Sequence, residues 1–233
     1  MIEICCNSSR SALCAKAGGA TRIELCSHLE VGGITPSEDD IDYCVKELGL
    51  RTHVLVRPRA GDFCYSEAEY DHIKRQVTMC GERGAAAVVV GFLHRDGSID
   101  TERTSEIVRM AAPMEVTFHR AFDECLEPLE ALEKIIDCGC HRLLTSGCQP
   151  FAEQGIPLLR QLVSRSHGRI LIMAGAGVTP LNARRIAEET GVDEIHGSCK
   201  HILASGEVET DEQTVRKLLD VFDKPVGEAS LNY

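Results

Sequence analysis

The sequence predicts a (β/α)8 barrel of the TIM type, read as one domain over residues 1–233, and three observations carry that expectation. Short apolar strands alternate with helical stretches roughly every 20 to 30 residues, the rhythm of βα units. Eight such repeats fill 233 residues, close to the ~250 typical of this barrel. No Pro/Gly-rich linker or shift in composition divides the chain. The competing architecture, an open doubly wound sheet, needs a reversal of strand order, and eight evenly spaced strands offer no obvious place for one.

The first strand is Ile2–Cys6, and Ser8 or Ser9 caps a helix toward Ala17 that Gly18-Gly19 ends. Strand two, Arg22–Cys26, leads through a glycine-bearing loop, Ser27–Pro36, to a helix capped by Ser37. Strand three, Thr52–Val56, precedes a long loop, Arg57–Ser66, and a helix to about Arg83. Strand four is Ala87–Gly91, followed by a turn at His94-Arg95-Asp96-Gly97 and a helix near Thr101–Ala112. Strand five is Glu115–Phe118, with a helix over Leu126–Asp137, and strand six is Arg142–Thr145, with a helix to about Ser166. Strand seven is Arg169–Met173, after which Thr179 and Pro180 read as N-cap and first position of a helix. Strand eight is Glu194–Gly197, and the last helix spans roughly Thr210–Phe222.

Composition excludes several functions. A formal charge of −11 argues against nonspecific nucleic-acid binding and against docking on anionic lipid. No segment joins basic residues to an apolar h-region and cleavage site, and no apolar run approaches ~20 residues, so a cytoplasmic protein is expected. Twelve cysteines in such a chain read as reduced thiols, and no CxxC pair with zinc spacing occurs.

Strand residues in a closed barrel alternate between interior and helical shell. Carrying that parity along the chain turns Glu3, Cys5, Glu24, Cys26, His53, Arg57, Thr117, His119, Glu194, His196 and Ser198 inward. The outward partners are mostly apolar, among them Ile4, Ile23, Val54, Val116, Phe118 and Ile195. Charge inside a barrel must be paired or solvated, so this concentration points to a pocket.

At the C-terminal rim, Arg57 and Arg59 lie on a loop stiffened by Pro58. They fit either bidentate binding of a carboxylate or phosphate, or pairing with Glu3, Glu24 or Glu194. His119 is a candidate general base or ligand, with Arg120 and Asp123 beside it, although a strand-end histidine is often only hydrogen-bonded structure. Gly175 and Gly177 after strand seven, and Gly197-Ser198 after strand eight, stand where these barrels commonly hold phosphate. Strand-to-helix turns need glycine anyway, and neither GxGxxG nor GxxxxGK[ST] occurs.

The thiols of Cys5 and Cys26 come close if the first two strands are adjacent. Two soft ligands suit Cu(I) and are too few for tetrahedral zinc. Buried cysteine also serves as a small hydrophobe, and a nucleophilic cysteine with His119 as base is a third option.

Several motifs then resemble the CutC family of copper homeostasis proteins: Glu3-Ile4-Cys5, Arg22-Ile23-Glu24-Leu25-Cys26, Gly32-Gly33-Ile34-Thr35-Pro36-Ser37, Arg57-Pro58-Arg59, Thr117-Phe118-His119-Arg120-Ala121-Phe122-Asp123 and Met173-Ala174-Gly175-Ala176-Gly177-Val178. The resemblance runs in order from residue 2 to about 198 and implies a TIM-type barrel, copper handling, Cu(I) ligation at Cys5 and Cys26, and a homo-oligomer. The chain departs from the pattern after strand eight, where the segment before the last helix is short. Beside the copper reading stands an enzyme acting on a small anionic or phosphorylated metabolite. There Arg57, Arg59, Gly175, Gly177 and Ser198 bind the substrate, and Glu24, His119 or Asp123 act as acid or base.

Overall fold

The computed structural model describes residues 1–202 and 208–223. Eight parallel strands close in sequence order: β1 Ile2–Cys6, β2 Arg22–Leu25, β3 Arg51–Leu55, β4 Ala87–Val90, β5 Glu115–Phe118, β6 Arg142–Thr145, β7 Leu171–Ala174 and β8 Glu194–Gly197. The barrel shuts where β1 pairs with β8, setting Glu3 opposite His196. The helices α1 Ser9–Ala17, α2 Glu38–Asp42, α3 Glu67–Glu82, α4 Thr101–Ala111, α5 Pro128–Asp137, α6 Ile156–Ser166, α7 Ala183–Thr190 and α8 Glu212–Asp223 follow the eight strands in turn. Among the described residues no helix is long and apolar enough to cross a membrane.

Alternation decides which side chains meet the helices. Ile4, Ile23, Val54, Val116, Phe118 and Ile195 are fully or almost fully buried in the large apolar layer between strands and helices. Cys5, Cys26, Leu55 and Val89 form a separate small cluster inside the barrel. The expected parity is therefore the observed one.

Helix starts follow their caps. Ser8 accepts from Ser11 N–H at 3.0 Å, and Ser37 accepts from Asp40 N–H at 3.1 Å. Ser66 and Glu69 form a reciprocal capping box that starts α3. Helix α7 corrects the expectation at Thr179-Pro180. Asn182 Oδ1 takes the Thr179 N–H at 2.8 Å, which closes a turn over 179–182, and the helix begins only at Ala183. Strand β7 also starts two residues later than expected.

The short segment after β8 holds an antiparallel pair, β9 Lys200–Ile202 and β10 Val208–Thr210. It is pinned to the first βα unit: Asn7 Nδ2 donates to Val208 O at 2.9 Å, and Thr210 N–H donates to Ser11 Oγ at 3.1 Å.

Candidate functional site

The interior charge sorts into two levels. The deeper one begins with Arg22, whose guanidinium makes two hydrogen bonds to the Glu194 carboxylate, at 2.8 and 2.7 Å. Arg142 donates to the same carboxylate and to Thr117 Oγ1. Glu3 is wholly buried, with Arg22 Nε at 3.1 Å and His53 Nδ1 at 2.7 Å, both off the line of an ideal hydrogen bond. Burial pushes the Glu3 carboxyl up, but its contacts with His196 and His53 outweigh that and hold it well below the usual carboxylate range.

Nearer the mouth, Cys5, Glu24 and His196 bring one sulfur, one carboxylate oxygen and one ring nitrogen within 4.8 Å of each other, all buried. Register explains the meeting: Cys5 sits beside Glu24 across β1–β2, and His196 follows from β8 on the other side of β1. Glu3 Oε1 lies 3.0 Å from His196 Nδ1, fixing the ring and leaving Nε2 for the cluster. Burial presses the His196 imidazole toward neutrality, but Glu24, Cys5 and Glu3 together raise its pKa well above the ordinary value. Burial raises the Glu24 carboxyl to about 7, with Glu3 adding to the effect and His196 opposing it. Glu24 Oε2 has no hydrogen-bond partner among the described residues.

Cys26 stands just outside this group. It is 1% exposed and packed in one small cluster with Cys5, Leu55 and Val89. The neighbouring Cys26 thiol, with burial, raises the Cys5 thiol well above its ordinary value. The imidazole beside Cys5 is His196, while His119 belongs to the β5 side of the barrel.

These groups open on a cavity of about 950 Å³ at the C-terminal mouth, lined also by Arg57, Phe63, His119, Gly177 and Ser198. Three lining residues outside glycine hold positive φ, namely Cys148 at 55°, Ala176 at 80° and Cys199 at 46°. Such backbone strain gathers at functional sites.

His119 Nδ1 accepts the Ala121 N–H at 3.1 Å, so the neutral ring carries its proton on Nε2, which has no partner among the described residues. Burial, then Arg57 and Arg120, lower its pKa to about 3. The ring lies against Gly91, where an added Cβ would fall 2.4 Å from its atoms.

The arginine loop does not make the carboxylate pairs expected of it. Arg57 pairs with none of Glu3, Glu24 and Glu194; it donates to the carbonyls of Val31, Gly33 and Gly61 and stacks on Phe63. Arg59 points away from the cavity, bonded to Glu69 and Asp62 and resting on Tyr65. Asp123 works as a latch: its carboxylate takes Thr145 Oγ1, Ser146 N–H and Oγ, Cys148 N–H and Arg120 Nε, tying the β5 exit to the β6 exit. Every oxygen there is committed, which leaves it poorly placed to move a proton. Gly175 is a packing glycine, since a Cβ there would meet Leu144 at 2.6 Å. Gly177, at φ 68°, does line the cavity, as does Ser198. Sequence parity turned His196 inward without singling it out, and only the β1–β8 register reveals it as the partner of Cys5 and Glu24.

The sequence model of the CutC family matches residues 1–201. A CutC family protein of Bacteroides fragilis is 45% identical over 207 residues, covering 88% of this chain and 82% of the relative. One of Vibrio vulnificus is 46% identical over 201 residues, covering 85% and 80%. The solved structure of the copper homeostasis protein CutC from Streptococcus agalactiae aligns with a TM-score of 0.80 at 30% identity, over 85% of this chain and 98% of that one. Thiamine phosphate pyrophosphorylase of Pyrococcus furiosus, at 16% identity and TM-score 0.63 over 97% and 96%, shares the barrel fold alone. Matched over residues 1–201 by the family's own pattern and by relatives at these identities, the chain belongs to the CutC family.

Proposed function

We propose that this protein is a copper homeostasis protein that binds Cu(I) at the floor of the cavity, with Cys5 as the anchoring thiolate. One observation carries the reading: Cys5, Glu24 and His196 present a sulfur, an oxygen and a nitrogen within 4.8 Å. Soft sulfur and imidazole donors in low number suit Cu(I). The hydrogen bond that His196 donates from its far nitrogen to Glu3 is the support that metal-binding histidines commonly have. Cys26, packed in the same small cluster as Cys5, is the candidate for a second thiol. The Cys5 thiol is raised, so uptake releases a proton and tightens as pH rises.

Anaerobic Cu(I) titration against a competing chelator tests this on wild type, Cys5→Ser, Cys26→Ser and His196→Ala. Binding of one ion, weakened at least about tenfold by Cys5→Ser and by His196→Ala, is the expected result. Equal affinity in all four proteins would show the thiols to be packing residues. Cys26→Ser alone decides whether the second sulfur is a ligand.

A second reading rests on the cavity itself. A space of about 950 Å³ with buried polar walls exceeds what one ion needs and matches a small-molecule site. It supports turnover or sensing of a small anionic metabolite.

A further inference from the structure

Arg57 is a buried cation without an anion. It is 6% exposed, its Nη atoms are spent on three carbonyl oxygens, and no carboxylate pairs with it among the described residues. Neutral acceptors satisfy hydrogen-bonding capacity but leave the charge uncompensated, a costly state in a dry site. Its Nε–H makes no hydrogen bond among the described residues, and the Tyr65 hydroxyl, itself unsatisfied, lies near the guanidinium. The His119 Nε2–H, also buried, makes no hydrogen bond among them either.

The fold brings these two donors together. Arg57 leaves β3 and His119 leaves β5, and Gly91 at the end of the intervening β4 has no side chain where the imidazole lies. Phe63 joins them, with its ring centre 4.9 Å from the His119 ring and 4.8 Å from the Arg57 guanidinium carbon. An aromatic cover excludes water and so strengthens any charged hydrogen bond formed beneath it. Both residues line the cavity.

The geometry points to a carboxylate subsite on this wall: a small organic monocarboxylate places one oxygen on Arg57 Nε–H and the other on His119 Nε2–H, with its apolar body in the cavity. One uncompensated positive charge beside a neutral donor matches a monoanion better than a phosphate dianion. Leu29, Val31, Leu55, Phe151 and Val178 supply apolar wall for the rest of the ligand. This sharpens the small-anion reading above, names its chemical class, and stands independently of Cu(I).

The test uses protein stripped of metal with a chelator, so that failure here and failure of the copper reading are separate results. Benzoate is titrated calorimetrically beside benzamide, its neutral isostere, and inorganic phosphate. Saturable benzoate binding, at least about tenfold tighter than benzamide, is expected. His119→Phe removes the donor and weakens benzoate about tenfold, while His119→Gln keeps an N–H and restores most of the affinity. Should His119→Phe not fold, the imidazole ¹⁵N spectrum of wild type serves instead: the Nε2–H resonance of His119 shifts on benzoate addition. Equal binding of benzoate and benzamide, phosphate outcompeting benzoate, or an unmoved Nε2–H signal at saturation would each overturn the proposal.

Discussion

Strands β1, β2 and β8 each place two alternate residues inside the barrel, and the two levels behave oppositely. The deeper level takes Glu3, Arg22 and Glu194; the level nearer the mouth takes Cys5, Glu24 and His196. Below, Arg22 and Arg142 together hold Glu194 below the ordinary carboxylate range against the upward push of burial. Above, the carboxyl of Glu24 is driven up to about 7 and one of its oxygens has no partner among the described residues. Burial is nearly equal, so the difference lies in how charge is compensated. The paired level is structural, and the unpaired one is poised for a ligand, a proton or an ion.

The largest effect should come from breaking the deeper level. Arg22→Met removes the guanidinium shared by Glu3 and Glu194, leaving Glu194 to Arg142 alone and Glu3 to two imidazoles, and urea unfolding should register a loss of about 3–5 kcal/mol. A loss below about 1 kcal/mol would mean that the level is not structural.

Glu24→Gln should do the reverse. The folded pKa of about 7 lies above the ordinary 4.5, so the folded state holds the proton more tightly. Stability contributed by this group is therefore full below pH 4.5 and is lost as pH rises toward 7. At pH 8 the variant should be more stable than wild type by about 3 kcal/mol, and at pH 4 the two should match. Destabilisation at pH 8 would place Glu24 with the structural residues.

The smallest effect is expected at Arg59. It is a third exposed and bonded to Glu69 and Asp62, so Arg59→Ala should cost no more than about 1 kcal/mol in unfolding experiments. Benzoate and Cu(I) affinities should stay unchanged, because the side chain points away from the cavity.

The barrel was legible because several strands, β1 and β2 first among them, write their own alternation and several helices have a local start signal, such as Ser8 or Ser37. The β9–β10 pair was not. Its first strand is exposed throughout and carries no apolar face for periodicity to detect. At Thr179-Pro180, two residues with strong start preferences lost to an asparagine side chain that closed the preceding turn. In the site, parity foretold which residues turn inward but not which would find partners. Pairing of Arg22 with Glu194, and of His196 with Glu3, depends on β8 returning to β1 across the whole length of the chain. Arg57 illustrates the same limit, since its carbonyl partners come from loop backbones whose path no side-chain pattern records.

That return of the last strand to the first also sets a schedule. During synthesis Cys5 and Glu24 emerge early, whereas His196 emerges some 170 residues after Glu24 and is oriented by Glu3 only once the seam has closed. A chain still on the ribosome offers a thiol and a carboxylate with no imidazole between them. Whatever the three groups capture together, only finished molecules capture it.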